Sequence, residues 1–215
     1  MNNSNICRPL VSVEGIIGAG KSFFNKLLKE HTDMPVICEP VLEWRKTDAL
    51  GKTYNVLERF YKDPSRYAYE LQLLILNSLE KQRKDVTHGF IERSLESNLI
   101  FSGMQYSKGH ISAAQYASYQ ARLRQVMTKL KAVDGVIYIR TSVDTALKRI
   151  AQRGRAGENR ITREYLEVLE KHHERWLHHK NKKVFIVNGE MDLSKKENVE
   201  AVMVELQLFL NALNL

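Results

Sequence analysis

The sequence has little cysteine and no long apolar run, and both scarcities exclude classes of protein. Its two cysteines, Cys7 and Cys38, lack the C-x-x-C spacing of zinc or redox sites, so we expect reduced thiols in an intracellular, cytoplasmic protein. The longest apolar runs, such as residues 71–76, are too short to span a membrane. Residues 1–7 are polar and contain no apolar signal core, so we expect no secretory leader.

The sequence also lacks internal repeats, low-complexity segments and linkers, so we expect a single domain over residues 1–215. This length allows a large buried core. The net charge is +8, but the basic residues are scattered apart from local sets at 149–163 and 180–183, with no basic stripe between aromatics. We therefore expect small polyanionic ligands, and neither nucleic acid nor a membrane as a partner.

The most specific pattern in the chain is Gly-Ile-Ile-Gly-Ala-Gly-Lys-Ser at residues 15–22, which matches the phosphate-loop pattern G-x-x-x-x-G-K-[ST]. It follows an apolar run and precedes a helical pattern, which is the context that this loop requires. Backbone N–H groups of the loop and the positive end of the helix favour phosphate. Lys21 can reach the terminal phosphates and Ser22 can bind Mg²⁺. The predicted phosphate-binding residues are Gly15, Gly18, Ala19, Gly20, Lys21, Ser22 and Phe23.

Strand and helix patterns alternate along the chain, which predicts an α/β fold with a parallel five-stranded sheet and helices on both faces. The predicted strands are 10–13, 36–38, 89–91, 135–139 and 184–187. The predicted helices are 21–30, 66–84, 95–106, 113–132, 144–152, 163–178 and 198–213. Such sheets bind ligands at the carboxyl ends of their strands. The remaining candidate residues lie at or soon after those ends.

Charged residues follow the second and third predicted strands. Glu39 follows the second strand, and a carboxylate there can accept the proton of a hydroxyl during phosphoryl transfer. A helix cap or a surface carboxylate is the alternative interpretation of Glu39, and Glu43 is an exposed neighbour. Glu92 and Arg93 end the third strand, where a buried charged pair is costly without partners. A purely structural ion pair is the alternative there.

Arginines cluster after the fourth predicted strand. Arg149, Arg153 and Arg155 are permanently charged planar donors, which suit phosphate oxygens. Glycines in the same stretch permit movement. We therefore predict an arginine-rich lid over a triphosphate, at about residues 149–160, although composition alone leaves a solvated basic loop open.

Further motifs accompany the loop in a fixed order. They are Glu-Pro-Val-x-x-Trp at 39–44, Tyr-Lys-Asp-Pro at 61–64, Gln72, Glu-Arg-Ser at 92–94, Tyr-Ile-Arg-Thr-Ser at 138–142, the arginine cluster and a His-x-x-Trp-Leu helix at 173–177. With them the chain resembles the deoxynucleoside kinases, which include insect deoxynucleoside kinase, mitochondrial thymidine kinase and deoxycytidine kinase. The resemblance covers roughly residues 9–190. It implies a P-loop NTPase fold of the adenylate-kinase-like type.

The resemblance also implies an activity and roles for residues. The activity is ATP-dependent phosphorylation of the 5′-hydroxyl of deoxyribonucleosides, a salvage reaction that supplies DNA precursors, by a Mg²⁺-dependent homodimer. The dimer would form through the apolar helices after residue 95. Glu39 would be the base, Ser22 and Glu92 would hold Mg²⁺, and Arg93 and Lys21 would act on the phosphates. The implied nucleoside-binding residues are Glu39, Trp44, Tyr61, Gln72, Arg93, Asn98 and Glu158.

The resemblance does not by itself determine which nucleoside base is preferred. Either orientation of the Gln72 amide can pair with cytosine or thymine, so we expect pyrimidine deoxynucleosides to be preferred. The chain departs from the family at three places near the expected base. Leu79 stands where deoxycytidine kinase has an arginine, Asn98 where it has an acidic residue, and Ser102 where an aromatic residue is expected, with Phe101 beside it.

Two rival functions share this fold. A nucleoside monophosphate kinase of the thymidylate type has the same loop, sheet and lid, but Glu158 would repel a phosphorylated acceptor. A non-catalytic P-loop subunit would be expected to lose the base, the loop lysine or the lid, and this chain keeps all three. The sequence therefore favours the deoxynucleoside kinase hypothesis.

Overall fold

A computed structural model describes residues 8–178 and 183–213. Its strands, numbered along the chain, are β1 Leu10–Glu14, β2 Val36–Ile37, β3 Arg45–Thr47, β4 Thr53–Asn55, β5 Gly89–Glu92, β6 Gly135–Arg140 and β7 Lys183–Asn188. Five of them form one parallel sheet in the order β2-β5-β1-β6-β7. The predicted five-stranded parallel sheet is confirmed.

The central strands are buried because helices cover both faces of the sheet. Every residue of β1 and β5 is buried, as is β6 up to its last residue. Such strands show continuous apolar runs rather than alternation. In the register of the sheet, Val13 lies opposite Glu92 on β5 and opposite Ile137 on β6. The carboxyl ends of these three strands therefore lie together at one edge.

The described residues form eight α-helices, of which seven lie between strands and the last follows β7. They are α1 Lys21–His31, α2 Val56–Lys62, α3 Pro64–Arg83, α4 Ser97–Ser107, α5 Ala113–Met127, α6 Val143–Arg153, α7 Arg163–His178 and α8 Lys196–Leu213. Side-chain caps fix several starts: the Asp63 carboxylate accepts from the Arg66 N–H, with proline as the first helical residue. None of the helices in the described ranges is both long and apolar enough to cross a bilayer.

Some predicted boundaries were wrong. The helix predicted at 113–132 ends at Met127, because the chain then turns to bury Val133 before β6. The second strand stops at Ile37, so Cys38, a free thiol, lies beyond it, whereas Cys7 is outside the described residues. The antiparallel β3–β4 hairpin and α2 were not predicted. All residues of β3 are exposed, so its sequence lacks the alternation of apolar and polar residues by which a half-buried strand is predicted.

The largest apolar cluster joins the sheet to helices on both sides. It contains Val11 and Val13 of β1, Phe24 of α1, Leu166 of α7 and Leu206 of α8. The last helix therefore packs on the sheet, as its apolar face predicted. This packing fixes the position of the helices relative to the sheet on which they lie.

The core predicts a contrast between two leucine truncations. Leu166 is 0% exposed in the main cluster, whereas Leu208 on α8 is 64% exposed. We expect Leu166→Ala to lower the free energy of unfolding by about 2–5 kcal/mol, because it removes buried methyl groups and leaves a cavity. Leu208→Ala should change it by about 0.5 kcal/mol or less. Urea denaturation of both variants checks this, and equal losses would contradict the assigned core.

Candidate active site

A cleft of about 720 Å³ opens at the carboxyl edge of the sheet. It is bordered by the loop after β1, the segment after β2, helix α3, the turn after β5 and the end of α6. The predicted site residues that line it are Gly18, Gly20, Lys21, Ser22, Phe23, Glu39, Trp44, Tyr61, Gln72, Glu92, Arg93, Asn98, Arg149, Arg153, Arg155 and Glu158. Gly15 and Ala19 do not line the cleft, and their carbonyls instead accept hydrogen bonds from neighbouring side chains.

The glycine-rich loop needs backbone conformations that only glycine adopts easily. Gly18 has φ +82°, and a Cβ there would lie 2.5 Å from the Ala146 carbonyl oxygen of α6. Gly20 has φ +103° and is the residue from which α1 begins. This geometry brings the loop against α6 while the N-terminal end of α1 faces the cleft. The arrangement can hold a phosphate chain.

Lys21 is buried beneath that loop. Its Nζ donates to the Gly15 carbonyl at 3.1 Å and to the Ile16 carbonyl at 2.9 Å. Burial, with a smaller contribution from the positive charge of Arg93, lowers the pKa of Lys21 to about 7, while Glu92 and Glu39 oppose the change. An anion in the cleft would favour the charged form of this lysine.

Glu39 and Arg93 form an ion pair across the cleft. The Arg93 Nε lies 3.1 Å from the Glu39 Oε1, and the side chains are 6% and 15% exposed for arginine and glutamate respectively. Burial raises the pKa of Glu39, and the adjacent Arg93 counteracts this effect. The Arg93 guanidinium also lies over the Phe101 ring at 4.4 Å. A carboxylate with a raised pKa is a better proton acceptor.

Glu92 is held from two sides. Its Oε2 accepts from the Asn25 Nδ2 at 3.0 Å and from the Glu39 N–H at 3.4 Å. Ser22, at the start of α1, lines the same cleft. A hydroxyl and a carboxylate are the hard oxygen donors that Mg²⁺ prefers, so this donor set fits the metal that the loop pattern implies.

The far end of the cleft carries buried polar atoms without partners in the described structure. These are the Oε1 of Gln72 and the Nδ2 of Asn98. The Trp44 ring borders the same end and donates from Nε1 to the Ser78 hydroxyl at 3.1 Å. Buried polar groups are normally hydrogen-bonded. Orphan acceptor and donor atoms at one end of a cleft are therefore positions where a polar ligand can bind.

Two residues expected near the base lie elsewhere. Leu79 is fully buried in a cluster with Leu95 and Tyr119, away from the cleft, so the expectation that it borders the base is wrong. It lies on the side of α3 that packs against α5. Ser102 is also buried outside the cleft and donates to the Asn98 carbonyl at 2.9 Å, whereas Phe101 lines the cleft.

The arginine cluster is anchored to its surroundings. Arg149 donates to the carbonyls of Ala19 and Gly189 at 2.9 and 2.8 Å. Arg153 donates from two nitrogens to one oxygen of Glu158, at 3.0 and 2.8 Å, and Arg155 donates to the other oxygen at 3.2 Å. Glu158 is buried, so the two arginines supply the positive charge that its burial requires.

Sequence reasoning missed three buried polar residues near the cleft. Glu14 accepts from the Ser94 N–H at 2.6 Å, and Asn25 holds Glu92. Arg83 donates to the Glu92 carbonyl at 2.7 Å, and burial lowers its pKa to about 10. The signal for Glu14 was a carboxylate directly after the apolar run of β1. The other two lie on helices whose polar residues show no sign of burial in the sequence.

Comparison with known proteins agrees with this geometry. The family model described as "Deoxynucleoside kinase" matches residues 11–211. The chain is 32% identical to deoxycytidine kinase 2 of Gallus gallus over 83% of this chain and 77% of that protein. It is 30% identical to human deoxycytidine kinase over 94% and 91% of the two chains. A structure of deoxyadenosine kinase from M. mycoides with bound dATP superposes with a TM-score of 0.77, at 27% identity, over 93% of this chain and all of that chain.

The family match covers most of the chain, and the structural similarity likewise extends over 93% of it. A P-loop fold, a buried loop lysine and a carboxylate–arginine pair in one cleft are consistent with a kinase. The chain belongs to the deoxynucleoside kinase family.

Proposed function

We propose that the cleft transfers the γ-phosphoryl group of ATP to the 5′-hydroxyl of a pyrimidine deoxynucleoside. Phosphorylation of deoxynucleosides is the activity of the family to which the chain belongs. The observation that carries the assignment of residues is the Glu39–Arg93 pair at 3.1 Å, in the same cleft as the glycine-rich loop and Lys21. The product would serve nucleotide salvage and DNA precursor synthesis.

The donor triphosphate would bind along the loop. The backbone N–H groups that follow Gly18 and Gly20, together with the start of α1, would bind the phosphates, and Lys21 would contact the terminal ones. Mg²⁺, held by Ser22 and Glu92, would neutralise charge on the phosphates. Arg149, Arg153 and Arg155 would cover the triphosphate as a lid, which residues 149–160 would form.

The acceptor would bind between Trp44 and Arg93. Glu39 would accept the proton of the 5′-hydroxyl as the oxygen attacks the γ-phosphorus, and ADP would leave. Arg93 would stabilise charge on the transferring group. Glu158 and Tyr61 would contact the sugar 3′-hydroxyl, which links the sugar site to the lid because Glu158 already binds two lid arginines.

The base would bind at the orphan polar atoms of Gln72 and Asn98. The Gln72 amide can present its acceptor and donor to either pyrimidine. The rival acceptor, a nucleoside monophosphate, would bring its phosphate towards Glu158, and a buried carboxylate disfavours that charge. We further propose that α4 and α5 form the interface of a homodimer, with no nucleic acid or membrane partner, and that the protein works in the cytoplasm.

Glu39→Gln tests the base. The substitution keeps the shape of the side chain but removes its proton acceptor, so kcat should fall by about two orders of magnitude or more, with a modest change in nucleoside affinity. Steady-state kinetics with a deoxynucleoside and MgATP measure this. Glu43→Gln, at an exposed neighbouring carboxylate, is the matched control and should retain normal turnover. Near-normal turnover of Glu39→Gln would remove this residue from the mechanism.

Lys21 should take up a proton when ATP binds. Its pKa of about 7 leaves it mostly neutral at pH 8, and the triphosphate raises that pKa by favouring the charged form. Calorimetry at pH 8, in two buffers that differ in ionisation enthalpy, should detect uptake approaching about one proton per ATP bound.

In Lys21→Met the proton uptake should vanish and phosphoryl transfer should be nearly abolished, with the fold intact. Lys26→Met, at an exposed lysine on the same helix, should change neither. Uptake that persists in Lys21→Met would mean that another group titrates, and normal activity would mean that the loop is not the donor site.

Base choice is tested with a panel of the four deoxynucleosides, their ribose analogues and dTMP, each with MgATP. Deoxythymidine and deoxycytidine should be the preferred acceptors. Gln72→Ala should lower kcat/KM for both pyrimidines roughly tenfold to a hundredfold, because one bidentate base contact is lost. Much better use of deoxyadenosine or deoxyguanosine by the wild type would overturn the pyrimidine preference, and dTMP as the preferred acceptor would support the monophosphate kinase.

A further inference from the structure

The last residue of β1, Glu14, is a fully buried carboxylate that takes no part in the reaction as proposed above. Its Oε1 accepts from the Ser94 N–H at 2.6 Å, and its Oε2 has no hydrogen-bond partner in the described structure. Glu14 does not line the cleft. It therefore cannot contact a substrate directly, and any role in the reaction must pass through a neighbouring residue.

That neighbour is Arg93, whose backbone is unusual. Its φ is +63°, and among the described residues no other non-glycine residue has a positive φ. The left-handed region is unfavourable for a residue with a Cβ, and it persists only where surrounding contacts enforce it. Residues in such conformations cluster at functional sites.

Two hydrogen bonds to acceptors on β1 enforce this conformation. On one side of the Arg93 Cα, the Arg93 N–H donates to the Val13 carbonyl at 3.1 Å. On the other side, the Ser94 N–H donates to the Glu14 carboxylate. The peptide planes that flank Arg93 are thus both attached to the end of β1, the second one through the Glu14 side chain. The Arg83 guanidinium also donates to the Glu92 carbonyl of the first plane, at 2.7 Å.

The same turn determines where the guanidinium lies. Arg93 leaves the sheet edge with its Nε 3.1 Å from Glu39 and its Nη1 3.2 Å from the Gly15 carbonyl. Burial raises the pKa of Glu14, and the positive charge of Arg93 is the largest of the effects that oppose this rise. Arg83 is a second cation near this group. Glu14 therefore acts on Arg93 in two ways, through the backbone turn and through its charge.

We propose that Glu14 is a positioning residue for phosphoryl transfer: its carboxylate holds the left-handed turn at Arg93 and thereby sets the guanidinium against Glu39. The inference rests on the proposed role of Arg93 in the reaction. A positioning role for Glu14 differs from a packing role, because loss of the Glu14 charge should then impair turnover only in a protein that retains Arg93.

A double-mutant cycle tests this in the full-length protein. Glu14→Gln keeps the size and one acceptor oxygen but removes the charge, and we expect kcat to fall about tenfold while the KM for the nucleoside changes less than threefold. In the Arg93→Ala background the same substitution should change kcat less than twofold, because the two residues act together.

The matched control is Asp134→Asn. This carboxylate also accepts a backbone N–H of β1, from Leu10 at 2.7 Å, but at the opposite edge of the sheet. It should leave kcat within twofold of the wild type. Circular dichroism verifies folding, and if Glu14→Gln fails to fold, Glu14→Asp, which keeps the charge but shortens the reach, replaces it in the cycle.

The outcomes separate the two proposals. An equal reduction of kcat in the wild-type and Arg93→Ala backgrounds, or near-normal kcat in Glu14→Gln, would overturn the positioning role. Absence of nucleoside phosphorylation in the wild type, or normal kcat in Arg93→Ala, would instead overturn the proposed mechanism on which it rests.

Discussion

The structure of the cleft depends on the mutual neutralisation of buried charges at one edge of the sheet. Three buried or nearly buried carboxylates and three buried cations lie close enough to influence one another: Glu14, Glu39, Glu92, Lys21, Arg83 and Arg93. A buried charge without a partner is strongly destabilising. The positions of these groups are therefore interdependent, and the strand register that brings them together is essential.

This balance of charge is the physical basis on which one edge of the sheet would bind both substrates of the proposed reaction. Burial raises the pKa of Glu39 and lowers the pKa of Lys21. Nearby charges of the opposite sign oppose both changes. Arg93 connects the two sides, because it pairs with Glu39 and donates to the Gly15 carbonyl that also accepts from Lys21. The cleft is therefore not a neutral cavity, and a charged ligand that enters it would change the balance of charge among these groups.

The two ends of the cleft use different chemistry. At the loop, backbone groups and permanent charges face the space where phosphates would lie. At the other end, Gln72 and Asn98 present single orphan atoms beside an aromatic ring. Orphan amides distinguish ligands by hydrogen bonding, whereas charges attract any polyanion. In the proposed mechanism, residues of α3 and α4 would select the substrate, and the loop and α6 would bind the phosphates.

The sequence by itself determined the phosphate loop, the alternation of strands and helices, and the chemical groups at the strand ends, since these are local patterns. It also predicted most of the residues that the structure gathers in the cleft. Tertiary structure decided which helix face meets which neighbour: Leu79 lies against α5 and not beside the cleft, and Glu14 reaches the turn after β5. The left-handed backbone of Arg93 could not be predicted from the sequence, because contacts with β1 enforce it. Hydrophobic periodicity in the sequence specifies individual helices and strands. Contacts between residues that are distant in sequence follow instead from the register of the assembled sheet.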